Sequence, residues 1–168
     1  MKTIMSKIFW MAFMVCALSF SAFGQDLGDY KAKNDGWLVL IDQAYAESEK
    51  TGKPILANFT GSDWCGWCKR LDKSVFHHKE FQDWAKENVV LLELDFPRRF
   101  QVPAFIQQQN ANLQQAFQVR GFPTLWLFEL KKDEAGQFNV YALGKTGYTK
   151  TVAEFTGNME QMIARKKG

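Results

Sequence analysis

The chain has 168 residues, with 21 Lys and Arg against 18 Asp and Glu, and a net charge of +3. That balance gives no reason to expect nucleic acid or an anionic membrane as partner, and a hydrophobic content of 46% is ordinary for a folded domain. Three cysteines are too few for a framework of structural bridges.

The first 24 residues read as a secretory signal peptide. Lys2 and Lys7 give a basic start, Ile8 to Leu18 is an apolar run, and Ser19 to Gly24 is rich in small residues ahead of Gln25. The run falls short of the roughly 20 residues a membrane-spanning helix needs; an anchor retained without cleavage is the rival reading. Cys16 follows Phe13-Met14-Val15, a poor context for lipid attachment, and reads as one more apolar residue of the signal. Export places Cys65 and Cys68 in the periplasm or cell envelope, where unpaired thiols rarely persist by accident.

Residues 25–36 are polar and contain glycine, which predicts a flexible leader, and one domain is expected over 37–168. Trp37 to Leu40 suits a short strand or the start of the helix that follows. Ile41, Ala44 and Tyr45 share a helical face within Ile41 to Lys50, and Thr51-Gly52-Lys53-Pro54 ends that helix. Ile55 to Phe59 reads as a buried strand and Thr60 to Trp64 as a loop, with a helix starting at or near Cys65. Val75-Phe76 precede a polar break at His77-His78, after which Phe81, Trp84 and Ala85 face inward on another helix. Val89 to Leu94 is a second buried strand; Asp95 to Gln101, with Pro97 and two arginines, is a loop. Pro103 to Phe117 suits a helix with Ile106, Leu113 and Phe117 inside and its glutamines on the wet side. Leu125 to Leu130, the charged turn Lys131 to Gly136 and the alternating Phe138 to Leu143 predict two more strands. Val152, Phe155, Met159 and Ile163 mark a closing helix. One helix followed by β-α-β-α-β-β-α predicts an α/β domain, a central mixed sheet flanked by helices, with no repeat and no second domain.

The segment Trp64-Cys65-Gly66-Trp67-Cys68-Lys69 stands at a strand-to-helix junction. Two cysteines with this spacing build a reversible disulfide. The first thiol lies near the free N–H groups of a helix start, which favour thiolate and lower its pKa below the free value of about 8.5. Cys68 is near enough to attack any mixed disulfide that Cys65 forms. A bridge across two residues closes too short a loop to serve as a stability device. Zinc would accept Cys65, Cys68, His77 and His78 as a ligand set, but that reading gives no role to the strand–helix context or to Pro123. No metal is therefore expected, and the two histidines read as exposed residues opening the next helix.

With Val119-Arg120-Gly121-Phe122-Pro123-Thr124-Leu125 as a second motif, the chain resembles the thioredoxin-fold family over Ile55 to Ile163. The stretch Asn58 to Cys65 is similar to its exported bacterial branch, which includes partners of membrane-spanning thiol relays. The resemblance implies a cis proline at Pro123 facing the disulfide, with the Phe122 backbone pairing with an extended substrate segment. It also implies that Trp64, Gly66 and Trp67 flank the thiols and meet an incoming polypeptide. Trp67 departs from cytosolic thioredoxin, which has proline there, and so leaves the redox potential open. The family buries an aspartate beneath the resolving cysteine; the nearest match is Asn58, whose amide cannot take a proton. Glu93, near where thioredoxin keeps a lysine, is the candidate proton acceptor. Lys69 either favours the thiolate weakly or is a solvated helix lysine, and Asp63 reads as merely exposed.

These readings predict an exported thiol–disulfide oxidoreductase acting on cysteine-containing envelope proteins. Its electrons reside in the Cys65–Cys68 pair, so no bound cofactor is expected. A dithiol protein or membrane relay resets it, a monomer is the default, and the thioredoxin-like Trp64-Cys65-Gly66 start tips the direction toward reduction. The rival is a non-catalytic module holding a thiol protein or a soft metal ion in the same groove, since Cu(I) favours thiolates. Against it, Met159 and Met162 lie on the distant closing helix and no methionine cluster adjoins Cys65.

Overall fold

In a computed structural model that describes residues 27–165, Ile55–Thr60 forms a strand, β1, buried along its whole length. The predicted signal peptide, with Cys16, lies outside the described residues. Around β1 the chain runs α1 (Ile41–Thr51), α2 (Gly66–Leu71), a π-helical turn (Asp72–Phe76), α3 (Lys79–Asn88), β2 (Val90–Asp95), α4 (Ala104–Ala116), β3 (Thr124–Lys132), β4 (Phe138–Thr146) and α5 (Val152–Arg165). The strands pair in the order β2-β1-β3-β4. β2 runs parallel to β1, as a helical crossover requires, whereas β3 is antiparallel to β1 and β4 antiparallel to β3.

Alternation along the strands divides the core between the two faces of the sheet. Leu56, Leu125 and Leu127 pack with Leu71, Phe76, Phe81, Phe155 and Met159 on one side. Ile55, Ala57, Phe59 and Phe128 pack with Ala44, Leu92 and Phe117 on the other. Asn58 and Thr60 share the Leu56 face by the same alternation, so β1 carries two buried polar side chains toward α2. The predicted stop of α1 is present: Gly52 adopts φ 69° and its N–H bonds Ser48 O at 2.8 Å.

Four expectations need correction. The leader is not free over residues 27–36: Ala32 is buried, Tyr30 and Leu27 pack against the core, and Lys33 and Asn34 bond into the domain. Burial of the Tyr30 ring and these polar contacts outweigh the polar composition that argued for flexibility. Trp37 to Leu40 is neither a full strand nor helix, because only Leu38 bridges the outer edge of β2, opposite Leu92. The helix opened by Gly66 runs into a π turn that nothing in the residue pattern announces. Finally, the glutamines of α4 are not all on the wet side. Gln109 bonds Val39 O and the Ile41 N–H, each at 2.9 Å, stitching α4 to the start of α1.

Candidate active site

Cys65 is the N-cap of α2, and its sulfur accepts the Cys68 N–H at 3.2 Å. The two cysteines form a disulfide with Cα atoms 5.3 Å apart, both only about one-twentieth exposed. The turn entering the helix is tied by the Cys65 N–H to Gly61 O at 2.9 Å. Gly61 is needed there: a Cβ on it would come within 2.5 Å of the Trp64 ring.

The second motif is brought beside the first by the β1–β3 ladder, where Phe59 is opposite Thr124. Phe122–Pro123 is a cis peptide at the entry to β3. The Phe122 ring lies 5.9 Å from the Trp64 ring and stacks on Phe96 at 5.1 Å, so the residue before Cys65 touches the residue before Pro123. Trp67 is half exposed, with the Tyr148 ring at 5.0 Å and the Arg70 guanidinium 4.6 Å from its centroid. Gly66 is exposed at the head of α2.

The loop after β2 contributes more than its sequence indicated. Trp64 Nε1 donates to Phe96 O at 2.8 Å, and the Arg98 guanidinium lies 3.8 Å from the Trp64 ring centroid, a cation–π contact. Asp63 is not merely exposed: its carboxylate accepts the N–H groups of Arg98 at 3.0 Å and Arg99 at 2.6 Å, locking the loop. Partial desolvation works against the Asp63 anion, but these N–H bonds win and hold its carboxyl below the usual range. Lys69 reaches Asp63 O at 2.8 Å and so buttresses the turn. The sequence signal was the aromatic and basic run Phe96-Pro97-Arg98-Arg99-Phe100, which looks like any surface loop until Trp64 is beside it.

Behind Cys68 lies a small polar cavity of about 10 Å³, the space of roughly one water centre. Asn58, Thr60, Cys68, Lys69, Asp72 and Glu93 are among its lining residues. Glu93, opposite Asn58 in the β1–β2 register, is 4% exposed. Burial pushes its carboxyl up to about 7; the Lys33 N–H and ammonium oppose the rise, and the Asp95 and Asp72 charges add to it. Asn58 Oδ1 is buried without a hydrogen-bond partner, an acceptor suited to a protonated acid or a water. Asp95 is likewise raised by burial, against bonds from the Ser62 N–H and hydroxyl. His77 lies 3.2 Å from Asn34 and 3.4 Å from Asp72, while His78 caps α3. Among the described residues no cluster of three or more His, Cys, Asp or Glu is disposed to hold a metal ion. Met159 and Met162 are buried in the core under α5.

Residues 41–162 match the family model described as a thioredoxin-like domain. The chain is 30% identical over 144 residues to the disulfide bond reductase DsbH of Chlamydia pneumoniae, covering 82% of this chain and 84% of that protein. A solved structure of a DsbH oxidoreductase superposes with a TM-score of 0.66 at 28% identity, covering 84% of this chain and 94% of that one. The thiol:disulfide interchange protein DsbD of Vibrio cholerae is 32% identical over 85 residues, which span 51% of this chain and 13% of that protein. With its paired cysteines bridged at the head of α2, the chain belongs to the thioredoxin-like domain family, among relatives that are disulfide oxidoreductases.

Proposed function

We propose that this protein is an exported thiol–disulfide oxidoreductase that reduces disulfides of cysteine-containing envelope proteins. The observation that carries the reading is the bridged Cys65–Cys68 pair at a helix start, with Trp64 packed on the residue that precedes cis-Pro123. Reduction rather than oxidation is supported by the relative named a disulfide bond reductase. Export is supported by the signal-like first 24 residues; among the described residues no helix is long and apolar enough to cross a membrane.

In the reduced protein the Cys65 thiolate attacks one sulfur of a substrate disulfide. That S–S bond breaks, one substrate thiolate leaves, and a Cys65 mixed disulfide forms. The Cys68 thiol then gives its proton to Glu93 through the cavity they share and attacks the Cys65 sulfur. The internal disulfide closes and the second substrate thiolate departs. Two electrons have passed to the substrate, and a dithiol protein or a membrane relay returns them. Trp64, Gly66, Trp67, Phe122 and Pro123 form the docking surface, with Phe122 offering main-chain hydrogen bonds that any extended segment can use. No bound cofactor or metal takes part in this scheme, and the protein acts as a monomer.

Catalysed reduction of an insulin-type disulfide, with a dithiol as the recycling reductant, tests the activity. Multiple turnovers are expected, whereas stoichiometric uptake of a thiol protein or Cu(I) without turnover would mean a binding module. A midpoint potential near thioredoxin's value of about −270 mV is expected, and one near about −120 mV would reverse the direction.

A further inference from the structure

The N-terminal segment that precedes α1 lies over the cavity beneath Cys68 and supplies charge to it. The Lys33 N–H donates to Glu93 Oε1 at 2.9 Å, across 60 residues of sequence. The Lys33 ammonium pairs with Asp72 Oδ2, and Asn34 Nδ2 donates to Asp72 Oδ1 at 2.5 Å. Both oxygens of a nearly buried carboxylate are thus held by two consecutive residues of one strap. Asp72 caps the C-terminus of α2 and opens the π turn that follows, four positions after Cys68. Tyr30, from the same strap, has a buried hydroxyl with no hydrogen-bond partner; burial first, then the Asp95 and Glu93 charges, hold it well above the ordinary tyrosine range. Lys33 and Asn34 of the strap thus form part of the wall of the acid cavity.

We propose that Lys33 is a positioning residue for the thiol chemistry: its main-chain N–H orients the Glu93 carboxyl beneath Cys68, and its Asp72-anchored ammonium offsets the anions that carboxyl faces. The inference rests on Glu93 as proton acceptor. The charged and titratable groups around Glu93 are Asp72 of the π turn, Asp95 of β2, Tyr30 and Lys33 of the strap, and Lys69 of α2 on the cavity wall. His77, the C-cap of the π turn, adds a further group 3.4 Å from Asp72. Among the described residues Lys33 is the one lysine or arginine in direct contact with the inner acids, and its half-exposed side chain is placed there by a segment outside the sheet. A carboxyl with one cation and two anions near it is poised, and the strap decides the balance.

The sign of the effect separates this from a structural role. Lys33→Met keeps the main-chain bond but removes the cation, so the Glu93 midpoint moves up by about one pH unit. Asp72→Asn removes an anion, so it moves down, and the double variant returns near the parent. Lys33→Arg restores the parent midpoint. The midpoint is read from the Glu93 side-chain carbon by NMR in the oxidised protein. The same shifts are expected in the pH profile of the resolving step, followed as the second release of coloured thiolate after mixing reduced protein with an aromatic disulfide. Shifts of the same sign in both single variants, or no shift, overturn the role of Lys33. Glu93→Gln separates the two ideas: if it slows the resolving step while Lys33→Met leaves the midpoint unmoved, the strap proposal alone fails. If Glu93→Gln leaves that step unchanged, the acceptor reading fails and the strap's part in the chemistry falls with it.

Discussion

Cys65 and Cys68 occupy different positions although they belong to one turn. Cys65 caps the helix and its sulfur receives an amide hydrogen, a bond that strengthens when the sulfur is an anion. Cys68 is inside the helix, buried, and backed by the acid cavity. The proposed assignment of attack to Cys65 and resolution to Cys68 draws on this difference, and it predicts an asymmetric pair of variants. Cys68→Ser is expected to accumulate a Cys65 mixed disulfide with substrate, visible on non-reducing gels and lost on adding dithiol. Cys65→Ser should show neither complex nor turnover. Accumulation in Cys65→Ser instead would invert the roles.

Gly61 links two elements, since it closes the turn out of β1 and leaves room for the Trp64 ring. Any side chain there displaces that ring, which otherwise bonds Phe96 O and stacks beneath Arg98. The ring cannot retreat, because Phe122 packs against it. Gly61→Ala should therefore cost about 1–3 kcal/mol, the usual penalty of overpacking a filled site. It should also slow reduction of a protein disulfide more than of a small aromatic disulfide, because in the proposed docking mode only the former uses the Trp64–Phe122 surface. Denaturant unfolding and the two rate constants check both halves; equal slowing of both substrates would remove Trp64 from the docking surface.

For the whole molecule, the buried acid makes folding stability depend on pH. Glu93 is raised from an ordinary 4.5 to about 7 in the fold, so the folded state binds the proton more tightly than the unfolded chain. Its favourable contribution is complete below about pH 4.5 and is lost as pH rises through about 7. The full swing is at most roughly 3 kcal/mol. Glu93→Gln removes this titration, so its stability relative to the parent should rise between pH 4.5 and pH 8. Parallel pH–stability curves for the two proteins would place the Glu93 proton elsewhere.

Much of this architecture is local in origin and legible from the chain alone. The Gly52 stop, the apolar runs of β1 and β2, the cysteine spacing and the Phe122-Pro123 motif each act over a few residues, through backbone conformation or side-chain alternation. What the linear order left hidden was long-range. Lys33 meets Asp72 and Glu93, Asp63 ties Arg98 and Arg99, and Gln109 joins α4 to α1, each across tens of residues. Hydrophobic periodicity is blind to such pairs, because polar residues read as solvated until folding withdraws the water and makes each of them seek a partner. The disulfide chemistry was thus written in six consecutive residues, while the acids and the cation around the cavity behind Cys68 were assembled only by the tertiary fold.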